Sequence, residues 1–214
     1  MSGAGCQKDY KQAENLLLDA YHGGVLAAGE YLGDLYTIEE YKLDIVKAIQ
    51  FFNEVSNTES GALISLGRIY LNEKSLHKDQ RKGFNCFIQC EKMGNEIVLV
   101  EIADCYWFGC GVGKNIPKAL EYYEKAANKG DVVAMLSLSS IFYFGKEVAI
   151  DKEKGVFYLK MACDSNSRKS AEDVKWACNR YGRMLITGIE VEKNILKGQE
   201  YLDKAKNIVI KVTW

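Results

Sequence analysis

Apolar residues recur three and four positions apart along most of the chain, the period of an amphipathic helix, and the pattern restarts at a nearly constant interval. In residues 115–130 the apolar side chains Leu120, Tyr123, Ala126 and Ala127 fall on one stripe behind a leading Asn115. An Asp or Asn, an Ala or Gly four positions later and a small residue seven further on form a triplet that repeats. It reads Asp9, Ala13, Ala20; Asp44, Ala48, Val55; Asp79, Gly83, Cys90; Asn115, Ala119, Ala126; Asp151, Gly155, Ala162; and Asn194, Gly198, Ala205. Successive starts lie 35, 35, 36, 36 and 43 residues apart. A second series, ending in Tyr36, Tyr70, Tyr106, Phe142 and Leu185, interleaves with the first and stretches at the same last step. A period of this size is the signature of stacked supersecondary units.

Each unit reads as two antiparallel helices, A and B. Helix A carries small residues around a central Leu (Ala28 and Gly33, Ala62 and Gly67, Ala134 and Ser139), where a neighbouring backbone must come close. Helix B opens on Asp or Asn, whose side-chain oxygen can accept from the unpaired amides of the first turn. Glu14, Glu121 and Glu153 add negative charge early in some B helices, and Pro117 falls where its missing donor costs little. Gly24, Gly94 and Gly130 supply the positive-φ residue favoured just past a helix end. The short A-to-B connections carry an apolar residue three before the cap (Tyr41, Leu76, Val112, Val148, Val191), expected to plug the gap between hairpins.

The pattern predicts B helices near 9–23, 44–56, 79–93, 115–129, 151–163 and 194–207, and A helices near 25–38, 59–72, 96–108, 131–144 and 171–186. An isolated hairpin cannot bury its apolar stripe, whereas stacking the next one against it can. With no linker or composition break, one elongated all-α domain of about five hairpins is expected over 9–207, after an N-terminal tail at 1–8. The apolar tail 208–214 is expected to cap the last repeat, with addition as a strand to a partner as the alternative.

The string from Tyr106 to Gly130, with Gly109, Gly111, Val112 and Gly113 followed by Lys118-Ala119 and Lys125-Ala126-Ala127, resembles the Sel-1-like repeat, a relative of the tetratricopeptide repeat. The first two repeats depart from it by lacking the loop glycines, and the fifth is lengthened by Asp164 to Ser170. The resemblance implies a right-handed α/α superhelix that serves as an adaptor or scaffold for other proteins, in one version as an immunity or inhibitor protein for a bacterial effector. It implies no cofactor. In the cysteine-rich secreted subfamily of these repeats, the positions matching Cys163 and Cys178 are bridged; a reduced buried pair is the alternative here, because the intervening segment is longer.

Composition narrows the partner. The 28 Lys and Arg against 29 Asp and Glu leave a net charge of −1, which gives no counterion-release drive onto nucleic acid. Apolar residues make up 48% and charged residues 27% of the 214 positions, a globular balance and not a disordered one. No apolar run is long enough to span a bilayer, so a protein or peptide partner is expected. Localisation reads as cytoplasmic, with the bacterial envelope as the alternative: if Met1 is not the native start, Ser2 to Cys6 resembles the end of a lipoprotein signal with Cys6 lipidated.

On stacked hairpins the A helices line the inner surface. One row of positions beside the packing seam is Asp34, Arg68, Asp104, Ser140 and Arg183; its neighbour is Tyr31, Ser65, Glu101, Ser137 and Arg180. Trp107 and Tyr143 stand beside them as large aromatics of the kind enriched at interface hot spots. The candidate partner-binding set is therefore Tyr31, Asp34, Arg68, Glu101, Asp104, Trp107, Tyr143, Arg180 and Arg183. Catalysis and metal binding have little to stand on. His22 and His77 fall on different repeats, and Cys86 and Cys90 lack two further ligands for zinc. Gly109 to Lys114 is a helix-to-helix turn and not a phosphate loop. Ser75-Leu76-His77-Lys78 matches Ser-x-x-Lys without its companion motifs. Because β-lactam binding is associated with the cysteine-rich relatives, a cell-wall or β-lactam ligand is carried as the alternative function.

Overall fold

A computed structural model describes residues 9–72, 74–167 and 170–208. All regular structure among them is helical: α1 (Tyr10–His22), α2 (Ala27–Tyr36), α3 (Glu39–Lys42), α4 (Ile45–Val55), α5 (Ser60–Leu71), α6 (Gln80–Lys92), a 3₁₀ turn (Glu96–Val98), α7 (Leu99–Phe108), α8 (Ile116–Asn128), α9 (Val132–Phe144), α10 (Lys152–Asp164), α11 (Ala171–Thr187) and α12 (Ile195–Asn207). Every predicted A and B helix is present with ends moved by a few residues; α3 and the 3₁₀ turn are additions. The tails at 1–8 and 209–214, and with them Cys6, lie outside the described residues.

The B-helix starts follow from local chemistry. The side chains of Asp9, Asp44, Asp79, Asn115, Asp151 and Asn194 each accept from the amide three residues on, at 2.9–3.1 Å. From the second repeat onward the cap also ties the hairpin together, because its own N–H donates back to the end of helix A. Asp44 reaches the Tyr36 carbonyl at 2.9 Å, Asp79 that of Tyr70 at 2.9 Å, Asn115 that of Tyr106 at 2.8 Å, Asp151 that of Phe142 at 2.9 Å and Asn194 that of Leu185 at 2.8 Å. One residue thus starts a helix and fixes its distance from the previous one. Gly24, Gly94 and Gly130 have φ of 89°, 84° and 92°, as the helix ends require.

The chain forms two compact units, one running to Val98 with Gly109–Gly113, the other comprising Leu99–Phe108 and the residues from Lys114 on. In each, helix A packs most extensively on the B helix that follows: α2 on α4 and α5 on α6 in the first, α7 on α8, α9 on α10 and α11 on α12 in the second. The first unit buries Tyr36, Ala48, Phe52, Val55, Ala62 and Leu66 as one cluster. The second buries a larger one that includes Leu99, Tyr123, Leu138, Leu159, Ala177 and Leu185. The small positions are where backbones meet: a Cβ on Gly182 would stand 2.8 Å from the Gly198 carbonyl oxygen, so α11 and α12 could not cross as they do with a larger residue there.

Two local expectations are corrected. Leu76, expected as a plug, is fully exposed in the turn before α6; Val148 and Val191 do pack against the core of the second unit. Glu14, expected as negative charge early in a B helix, lies beyond the first turn of α1 and is buried. It accepts from the hydroxyls of Tyr36 at 2.5 Å and Tyr41 at 2.8 Å and pairs with Lys42 Nζ at 3.0 Å.

Candidate functional site: the A-helix face of the second unit

Helices α7, α9 and α11 present one side to each other's cores and the other to three adjoining cavities. The first, of about 390 Å³, lies among Asp104, Trp107, Phe108, Ser137, Ser140 and Asp173. The second, of about 430 Å³, shares Ser140 and Asp173 with it and adds Tyr143, Phe144, Trp176 and Arg180. The third, of about 610 Å³, shares Tyr143, Trp176 and Arg180 and adds Asn179, Arg183, Thr187 and Ile189. Shared walls make the three a continuous furrow. Of the residues singled out from sequence, Asp104, Trp107, Tyr143, Arg180 and Arg183 line it, and Glu101 stands half-buried one turn before Asp104.

Helical spacing explains the arrangement. Trp176, Arg180 and Arg183 lie four and three apart on α11 and so share a face. Arg180 is held against two rings, 5.5 Å from the centroid of Tyr143 and 5.6 Å from that of Trp176. Such contacts hold a guanidinium in place while its edge donors stay available for a carboxylate. Among the described residues neither Arg180 nor Arg183 has a carboxylate within ion-pair distance; the nearby Glu190 is taken by Lys152 at 2.7 Å.

At the opposite side Asp104 is fixed by Tyr123, whose hydroxyl donates to Oδ1, and Trp107 sets its ring edge against Tyr123 at 6.4 Å. Burial pushes the Asp104 carboxyl up from its ordinary value, with Glu101 adding to the shift and the Tyr123 hydrogen bond opposing it. Burial, and then Asp104 itself, pushes the Tyr123 phenol up well above its own.

The Sel1 repeat model matches residues 1–25, 60–95, 99–131, 132–167 and 177–207. This chain belongs to the Sel1 repeat family. Repeats of this family generally mediate protein–protein interaction. Among curated relatives, the mouse protein sel-1 homolog 2 is 30% identical over 136 residues, 64% of this chain and 19% of that protein. The chain therefore spans about a fifth of the length of the sel-1 homologues it matches. Among solved structures, a Sel1 repeat protein from Oxalobacter formigenes superposes with a TM-score of 0.72 at 23% identity, covering 95% of this chain and 82% of that one. The Escherichia coli protective antigen c5321, described as displaying an SLR fold, gives 0.73 at 24%, covering 95% and 43%. The fold class is thus the all-α solenoid of Sel1 hairpins.

Within that frame, the remaining sequence candidates fall in different places. Tyr31, Asp34 and Arg68 lie on α2 and α5 of the first unit, where Tyr31 is 53% exposed and Asp34 accepts from the Ser65 hydroxyl at 3.4 Å. Burial, with the neighbouring carboxylates of Asp34 and Glu59, pushes Glu30 beside them up from its ordinary value. Cys163 and Cys178 are joined by a disulfide with their Cα atoms 4.7 Å apart. It ties the end of α10 to α11 between Trp176 and Arg180. Cys86 and Cys110 are free thiols, and burial pushes Cys86 up to about 11. No cluster of metal-ligating side chains occurs among the described residues, and no helix among them is long and apolar enough to cross a membrane. Ser75 stands in the turn before α6, its hydroxyl accepting from the His77 amide at 3.1 Å.

Trp176, Phe108, Phe144 and Asp173 escaped the sequence reading. Phe108 and Phe144 follow Asp104 and Ser140 by four residues, and Trp176 precedes Arg180 by four. Extending each seam row by one helical turn in both directions is the signal that would have found the three aromatics; Asp173 lies two turns before Arg180 and beyond its reach.

Proposed function

We propose that this Sel1 repeat chain is a non-enzymatic interaction scaffold that grips a protein partner on the A-helix face of its second unit. The observation that carries the reading is Arg180, fixed against Tyr143 and Trp176 at the wall of a 610 Å³ cavity beside Arg183. An aromatic-held arginine next to a concavity is the composition of an interface hot spot. An immunity or inhibitor protein covering an effector would use such a face in the same way. The β-lactam alternative has weaker support, since Ser75 sits in a turn whose neighbour Leu76 is bare.

The experiment is affinity capture from the source cell with the unaltered chain and with R180E/R183E in parallel, helicity being checked by circular dichroism. A protein retained by the first and lost by the second is the expected result. Equal retention at unchanged helicity would remove this face from the binding role.

A further inference from the structure

The cavities on the A-helix face of the second unit differ in charge. Asp104, Asp173 and Lys146 line the first, and Asp173 and Arg180 line the second, so both carry acid and base. The third, of about 610 Å³, has Arg180 and Arg183 in its wall and no carboxylate. Its other two polar side chains serve their own helix: the Asn179 amide donates to the Lys175 carbonyl at 3.0 Å, and the Thr187 hydroxyl to the Arg183 carbonyl at 2.9 Å. The rest of the wall is apolar or aromatic, with Trp176 and Ile189 more than half exposed. Two guanidiniums are thus the whole charge of the lining. The acids nearest in sequence do not neutralise them. Glu190, next to Ile189, pairs with Lys152 at 2.7 Å, and Asp173, two turns before Arg180, makes no ion pair with it. Lys152 stands 5.9 Å from the Tyr143 ring, so its pair with Glu190 adds no net charge beside the cavity.

Resting on the scaffold reading above, we infer that this cavity takes an acidic segment of the partner protein, with two carboxylate side chains two positions apart and an apolar side chain next to them on the same side. Each guanidinium engages one carboxylate through a parallel pair of its N–H donors, so two acids are needed to satisfy both arginines. Residues three apart on a helix have Cβ atoms about 5–6 Å apart. Alternate residues of an extended chain point the same way and lie roughly 6.4–6.8 Å apart, which matches that spacing with one residue between the acids. A chain terminus brings a single backbone carboxylate and would leave one guanidinium unserved. The apolar side chain covers Trp176 or Ile189 at the ends of the row.

The rings make the preference a property of the folded face. Arg180 is oriented by Tyr143 and Trp176 before binding, so less side-chain entropy is lost when it grips a carboxylate. A lysine in the same segment would face two like charges and no acid, a repulsion that rejects wrong partners.

The test uses the full chain, isotope-labelled, and two peptides acetylated and amidated to remove terminal charge: Leu-Ser-Glu-Ser-Glu-Ser-Phe and the same sequence with glutamine for both glutamates. Titrations are followed by nuclear magnetic resonance at the Trp176 indole N–H and the Arg180 and Arg183 Nε–H. At low salt the glutamate peptide should shift these signals and bind about tenfold or more tighter than the glutamine peptide, and the gap should narrow as salt rises. R180Q/R183Q, its helicity checked by circular dichroism, should bring the two peptides level. Equal binding of both peptides to the unaltered chain, no shift up to about 1 mM, or shifts confined to other residues would overturn the inference. So would inorganic phosphate moving the same signals while the glutamate peptide does not, the mark of a plain anion site. A cellular partner lost on R180E/R183E, together with indifference to the peptides, would leave the binding face standing and refute this occupant alone.

Discussion

The first and fourth hairpins solve one geometric problem with different chemistry. In both, the cap amide of helix B must reach the last turn of helix A, and it does so at 2.9 Å from Asp44 to Tyr36 and from Asp151 to Phe142. The fourth connection spans nine residues from Phe142 to Asp151 and turns through Gly145 at φ 68° and Glu147 at φ 59°. The first spans eight, from Tyr36 to Asp44, and has no glycine. It coils into α3 instead, and α3 is pinned from inside by the Glu14 carboxylate. The lesson is that a repeat can exchange a backbone device for a side-chain network, and the exchange changes which conditions threaten it.

The largest test of that contrast concerns the second unit, where the disulfide adds a covalent tie that the described part of the first unit lacks. Closing a loop of about 15 residues is worth roughly 3 kcal/mol in chain-entropy accounts. Replacing Cys163 and Cys178 by Ala should lower protection of α10 and α11 in hydrogen exchange by about that amount, while α2 to α6 keep theirs. Loss spread evenly over both units would show that the tie is not local.

Next in size is Glu14. Its hydrogen bonds, that of Tyr36 foremost, hold the carboxyl at about 2 against an ordinary 4.5, with burial opposing and Lys42 and Tyr41 assisting. A depressed folded value means stability that is present above the unfolded pKa and lost as pH falls from about 4.5 towards 2. Hydrogen bonds to a charged group contribute about 1.5–3 kcal/mol. E14Q should cost about that much in urea unfolding at pH 7, and the gap from the unaltered chain should close in the acid window. A gap independent of pH would mean that the carboxylate only fills space.

The smallest effect separates the connections directly. Gly145→Ala places a side chain in left-handed backbone, at a cost of about 1–2 kcal/mol, whereas Glu39, at the matching position of the first hairpin, already starts a helix and should accept Ala with almost no change. Thermal unfolding of both variants decides it; equal shifts would erase the distinction.

The repeat, the hairpin pairing and all six B-helix caps were legible because they rest on short-range chemistry. An aspartate accepts from an amide three residues away whatever surrounds it, and a glycine or alanine between helices marks a contact by its size. The candidate face was legible in part. Glu101, Asp104, Arg180 and Arg183 came from counting rows, but Trp176 and Phe144 did not, because an aromatic on a helix reads equally as core or surface until its neighbours are known.

What the amino-acid order determined alone is the period, the helices and the identity of the charges in each row. Only the tertiary structure decided that Arg180 rests between Tyr143 and Trp176, that Tyr123 holds Asp104, that Leu76 stands bare and that a carboxylate lies buried under α3. Local patterns are set by neighbours within one turn, whereas burial and side-chain partnership depend on groups brought together from 19 to 37 residues away, as with Asp104 and Tyr123 or Arg180 and Tyr143. Only the packing of whole helices fixes those distances.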